Sequence, residues 1–297
     1  MQYPPTFDSY NRGAIAAESA HFRLFAIQLI LTSSAAVLAV LPIFGIAKTP
    51  VILWAVAGLF AIGVLLTYFG SSRQLEQKWF SMRAIRESLK SLTWRFALRV
   101  GEFSGDDTAA LKTFLERTQG IVGTFSSYRP PHTDSTALDD TAALSELTRI
   151  RNLPWNVVRD LYVKDRLARQ IDWYSQKATD NERHANLLEY VILGLGILGF
   201  VVGIVFVALG LVAGLPVFAL LATLIAAILA WGQARRYSGL VGPYRNAESE
   251  LRRIATELQL TATAESFRSL IEEAERAISR EHSMWLAQRG LQHPMRV

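Results

Sequence analysis

The sequence predicts an all-α membrane protein: two transmembrane helical hairpins whose long helices extend into a cytoplasmic helical bundle. Three observations carry this. First, charge is partitioned. Between Arg23 and Arg73 the only charged residue is Lys48, and between Glu189 and Arg235 there is none. The rest of the 297-residue chain is densely charged, although the average is an unremarkable 19%. Second, each apolar window is about twice the roughly 20 residues a spanning helix needs, and each has a turn signal near its middle. Third, apolar residues outside the windows recur at steps of three and four, and no stretch alternates at period two.

The turn signals set the spans. Ala47-Lys48-Thr49-Pro50 divides the first window and Ala213-Gly214-Leu215-Pro216 the second. Proline suits the first turn of a helix, where its missing N–H has no partner to lose. The spans are therefore about 24–46, 50–70, 189–212 and 216–234. Lys48 sits at a hairpin tip, whereas Arg73, Lys78, Arg235 and Arg236 lie beyond the far ends of spans two and four. The positive-inside rule then places both termini in the cytoplasm. The expected location is the inner membrane, with several passes.

Within the spans the main polar groups are Gln28, Thr32, Ser33, Ser34, Thr67 and Thr223. Pumps and coupled transporters carry ionisable residues inside the membrane, and their absence argues against both. Gly199 and Gly203 form a GxxxG pair in span three, with Gly196 one turn earlier. Such spacing allows close helix approach, either inside the hairpin or between subunits around a pore.

The helical pattern continues past the membrane. Leu75, Trp79, Met82, Ile85, Leu89, Leu92 and Phe96 form one stripe. With no proline over 51–100, a single helix from Pro50 to Val100 would be about 75 Å long. Gly101 and Gly105 end it, and Asp106-Asp107 open a short helix to about Arg117. Residues 120–139, with Pro130-Pro131, read as a linker. It separates a first unit (1–119) from a second (140–297). A helix over 140–151 is followed by one from Pro154 that runs into span three. After span four, Gly242-Pro243 should break or kink the helix. Tyr244–Leu258 and about Ala264–Arg289 form the last helices, with Leu270, Ala274, Ile278 and Trp285 on the buried side of the second. Arg83-Ala84-x-x-Glu87 resembles Asn246-Ala247-x-x-Glu250, as expected of a diverged tandem duplication.

Chemistry is sparse. There is no cysteine, hence no disulfide, thiolate or cysteine metal site. The five histidines show no metal-binding spacing, and no nucleophile or phosphate-loop motif occurs outside the membrane. No cofactor, metal or catalytic residue is expected. The net charge of +5 suits membrane proximity better than a nucleic-acid partner. Glu281-His282 is the conspicuous polar pair, but neighbours in a helix do not face each other. Arg83 and Glu87, four apart, could pair on one helix or across subunits.

Three stretches carry a family resemblance. Trp79-x3-Arg83-Ala84-x2-Glu87-Ser88-x-Lys90-x3-Trp94-Arg95 follows the first hairpin. Tyr162-x3-Arg166-x3-Gln170-x2-Trp173-Tyr174-x2-Lys177-Ala178-x2-Asn181 precedes the second. Glu275-x2-Ile278-Ser279-Arg280-Glu281-His282-x2-Trp285-x3-Arg289 lies near the C-terminus. With these, the chain resembles the SLATT superfamily of two-transmembrane effector domains associated with SMODS nucleotide-second-messenger synthases and SLOG sensor domains. The first stretch, with Tyr3-Pro4, resembles one subtype and the other two a second, so the two-span unit stands twice.

The resemblance implies an effector of bacterial antiphage conflict systems that oligomerises and forms or gates a membrane pore. It implies as partners the lipid bilayer, further copies of the chain, and a nucleotide second-messenger synthase or sensor protein. Two rival expectations are a non-enzymatic membrane-anchored scaffold or sensor, and a small housekeeping ion channel. An enzyme is the least expected class.

Overall fold

The computed structural model describes residues 3, 5–46, 48–72, 74–124, 141–210 and 215–287. Among them the regular elements are helices, without a strand. They are α1 (Pro5–Val40), α2 (Thr49–Ser72), α3 (Leu75–Ala97), α4 (Asp107–Thr124) and α5 (Thr141–Arg151), followed by α6 (Trp155–Tyr162), α7 (Arg169–Ala208), α8 (Leu215–Arg235), α9 (Tyr237–Leu260) and α10 (Ala264–Ala287). A π-helical turn, Val163–Ala168, joins α6 to α7. The chain divides into two compact units. A polar unit comprises Met1–Glu18, Glu76–Lys177 and Pro243–Val297, and an apolar unit comprises Ser19–Leu75 and Ala178–Gly242.

In the polar unit, α3 is buried on nearly every side. Met82, Ile85, Leu89, Leu92, Trp94 and Phe96 are in the core, and so are Ser81, Ala84, Ser88, Ser91 and Ala97 between them. The small residues explain why a one-striped pattern becomes a central helix: they leave room for neighbours on the faces the stripe does not cover. Its C-terminal end is held by Arg151 of α5. The side chain of Arg151 is fully buried and donates to the carbonyls of Phe96 (2.7 Å) and Phe103 (2.8 Å) and to Asp107 (2.8 Å). Arg99 lies at φ 57° and Gly101 at φ 60°, so the chain reverses through left-handed backbone. Asp106 caps α4 by accepting from the N–H groups of Thr108 and Ala109.

The apolar unit holds the four helices long and apolar enough to cross a membrane. Their surfaces would be wrong for water: Trp54 and Val207 are each 82% exposed, and Phe200 71%. Backbone hydrogen bonding is internal to each helix, which is what a lipid solvent requires. Gln28 Nε2 donates to Thr67 Oγ1 across the first hairpin (3.0 Å), and Thr67 in turn donates to the Gly63 carbonyl. Arg235 lies over the Phe22 ring (3.6 Å) and near Trp231 (5.0 Å), forming a cation–π cluster at the end of α8.

Several boundaries differ from expectation. The continuous helix over 50–100 is broken: Gln74 has φ 45°, just after the weak helix formers Gly70-Ser71-Ser72. The first span leaves the α-helix at Val40 instead of 46. Pro42 cannot donate to the next carbonyl back, and a 3₁₀ turn (Leu41–Phe44) closed by Gly45 at φ 68° takes over. The break expected at Gly242-Pro243 falls at Arg236, φ 56°. Pro243 then lies in the second turn of α9, where one hydrogen bond is lost. Burial of Tyr244, Ala247, Leu251, Ile254 and Leu258 along that helix compensates. Likewise α4 continues past Arg117 to Thr124, because buried Phe114, Thr118 and Ile121 outweigh the glycines at 120 and 123. Linker residues 125–139 lie outside the described residues, as do 211–212 of the third span.

The glycines of α7 are not equivalent. A Cβ on Gly199 would meet Leu221 of α8 at 3.4 Å, and one on Gly203 would meet Phe218 at 3.4 Å, whereas Gly196 has open space. Gly203→Leu should therefore cost about 1–3 kcal/mol of overpacking, and Gly196→Leu almost nothing. Thermal melts of the two variants in one detergent check this. Equal losses at both positions would contradict it.

Candidate functional site

The polar unit carries a partly open cavity of about 390 Å³. Four chain segments build its wall: the start of α1, α3, the π turn with the start of α7, and Ile278 of α10. Helical spacing puts Arg83, Arg86, Glu87 and Lys90 of α3 around the same wall, since residues three and four apart share a face. The π turn supplies Arg166, and α7 supplies Arg169 and Trp173. A π turn carries one residue more than an α turn, which shifts the faces before and after it; such turns recur at functional positions.

Behind the wall is a buried ion pair. Arg166 grips Glu275 of α10 with two bonds, Nε to Oε1 (2.9 Å) and Nη2 to Oε2 (2.8 Å), and both side chains are almost fully buried. Tyr162 donates its hydroxyl to the same Oε1 (2.9 Å). Nη1 of Arg166 is buried and makes no hydrogen bond among the described residues. Edge-on packing of Trp94 against Tyr162 (5.3 Å) closes the network, and Trp94 Nε1 donates to the Tyr3 hydroxyl (2.9 Å).

The electrostatics of the wall are dominated by cations. Burial alone would raise the Glu87 carboxyl, but Arg86, then Lys90, Arg166 and Arg83, outweigh it and hold it at about 2. Burial lowers the Lys90 ammonium, opposed by Glu87 and reinforced by Arg166 and Arg86. Arg86 also donates to Asn11 Oδ1 (2.9 Å), so the cluster ties α1 to α3.

The structure gathers some of the residues singled out from the sequence and scatters others. Arg83, Glu87, Lys90, Trp173 and Tyr174 all line the cavity. Glu87 pairs with its neighbour Arg86 (2.6 Å), and Arg83, one turn back, acts on it more weakly. Trp94 lies one contact behind the cavity. Trp79 stacks on Phe80 (4.5 Å) away from it, and Arg95 approaches Gly101. Lys177 is exposed and Asn181 buried, neither at the cavity. For Glu281, His282 and Trp285 the helical backbone is described and the side chains are not; Arg289 lies outside the described residues. Asn11, Arg86 and Arg169 were not anticipated. Arg166 and Glu275 both stood in the motif stretches, but nothing in a one-dimensional pattern pairs residues 109 positions apart. No group of three His, Asp or Glu side chains among the described residues could hold a metal ion.

Two family models match the chain in tandem. Residues 4–156 match the model for SMODS and SLOG-associating 2TM effector domain 3, and residues 162–285 match that for domain 1 of the same series. The two matches leave residues 157–161, inside α6, between them, and α5 lies within the first. No curated protein and no solved structure matches the chain.

Removing one partner of a buried pair strands the other charge, at a cost of about 3–5 kcal/mol. Glu275→Ala should lower stability by that amount, read as a large drop in melting temperature; an unchanged melt would show that the pair is dispensable. Glu87 gives a pH signature. Its folded value, about 2, is below the ordinary 4.5. Its stabilisation is therefore complete above about pH 4.5 and is lost as the pH falls toward 2, amounting to about 3 kcal/mol. Acid titration followed by circular dichroism should show that loss in the wild type. In Glu87→Gln the same interval should be flatter.

Proposed function

The chain belongs to the SLATT family, as two tandem two-transmembrane domains of different subtypes, and from that premise we propose a membrane effector of a bacterial conflict system. It oligomerises and forms or gates a pore in response to a partner or a nucleotide-derived signal. The observation that supports this best is the make-up of the four spans. They present broad apolar surface, and the stretches 24–72 and 190–234 that contain nearly all of them carry one charge, Lys48 at a hairpin tip. Such helices are suited to lipid and to one another, and unsuited to relaying protons or substrates. In this reading both termini and the polar unit are cytoplasmic at the inner membrane, and the protein acts by helix assembly and not by enzymatic chemistry.

The test is expression in a bacterial host together with the activating system, with membrane potential followed by a voltage-sensitive dye. Loss of potential and growth arrest are expected. Intact potential with normal growth, for protein verified in the membrane fraction, would overturn the reading.

A scaffold or sensor is the second reading. It is favoured by the polar unit's own core, with Trp94, Phe96, Tyr162 and Phe267 almost wholly buried. A chain without hairpins that still supports the system's function would decide for it.

A further inference from the structure

We propose that the cavity of the polar unit binds a soluble phosphate ester bearing a planar ring, of about mononucleotide size. Its volume, about 390 Å³, lies in the range of small-ligand sites, roughly 300–1,000 Å³. Five cationic side chains line it (Arg83, Arg86, Lys90, Arg166 and Arg169) against two carboxylates, Glu87 and Asp165. Both carboxylates are engaged: Glu87 by Arg86 (2.6 Å) and Asp165 by Arg169 (3.3 Å). Counting Glu275 behind Arg166, the cluster still has an excess of positive charge.

One of these cations is shut away from water. Arg166 is 2% exposed, and its Nη1 has no hydrogen-bond partner among the described residues. Arg166 itself lines the cavity, so its guanidinium charge acts on an anion held there. Multiple guanidinium groups around one space suit phosphate better than a carboxylate, because phosphate offers three oxygens and up to two charges. Burial that disfavours the Lys90 ammonium would also be offset by such an anion. The aromatic side favours a ring over bare phosphate: Tyr3 and Trp173, both half-buried, line the same cavity, and rings there can stack a flat partner. The wall joins α1, α3, α7 and α10, so an occupant would touch residues of both family domains and tie their helices together.

This deepens the signal-response reading and rests on it only for what binding does at the membrane. The test is isothermal titration of the full chain in neutral detergent with AMP as probe, beside ribose 5-phosphate and adenosine. AMP should bind, ribose 5-phosphate at least tenfold more weakly, and adenosine undetectably. Lys90→Gln and Arg169→Gln should each weaken AMP about tenfold. Arg169 is exposed, so its variant keeps the fold, and an unchanged melt confirms that. No binding of AMP at 10 mM or affinity unchanged in both variants would overturn the site. So would saturation by phosphoinositide vesicles alone. Binding without any loss of membrane potential on activation keeps the site and removes the effector reading. Loss of potential without AMP binding does the reverse.

Discussion

The bidentate pair between Arg166 and Glu275 is the constraint on which much of the polar unit depends. Two charges are withdrawn from water, and only near-ideal geometry makes that tolerable. The geometry in turn dictates position. The π turn must face α10, Tyr162 must reach the same carboxylate, and Trp94 of α3 must pack beside Tyr162. Through Trp94 and Tyr3 the restraint reaches the first residues of the chain. A buried pair adds little net stability over an apolar replacement, but it discriminates sharply between one packing arrangement and its alternatives. That suits an arrangement in which helices from distant parts of the sequence must meet in one register.

The two units follow different physical rules. In the polar unit, apolar side chains leave water, and cores form around Met82, Leu92 and Phe96. In the apolar unit, lipid already solvates the side chains, so attraction between helices rests on fit and on a few polar contacts. Gly199 and Gly203 against Leu221 and Phe218 supply the fit, and Gln28 with Thr67 supplies a contact. The cation–π cluster of Arg235 with Phe22 and Trp231 places a charge and aromatic rings at the end of a span, where interfacial anchors are expected.

Where reading from the sequence went astray, a nonlocal or conformational term was responsible. The absence of proline suggested one long helix from residue 50 to 100, but a left-handed residue at Gln74 needs no proline to stop a helix. Gly242-Pro243 is a strong breaker locally, yet α9 absorbs it because its apolar face is buried. Arg86, which the four-residue spacing of Arg83 and Glu87 did not single out, reaches both Asn11 and Glu87. The motif stretches did contain most of the cavity, including Arg166 and Gln170, although they could not say that these residues face one space.

The sequence by itself determined the fold class, the number of the apolar helices and the family. Each of these depends on composition and period, which are local properties: a run of uncharged residues long enough for a bilayer has few other uses. Tertiary structure alone decided which charges meet. Arg166, which lines the basic cavity, found Glu275 because helices far apart in the chain pack together. The energies that select such a partner act across space and leave no spacing in the sequence to read.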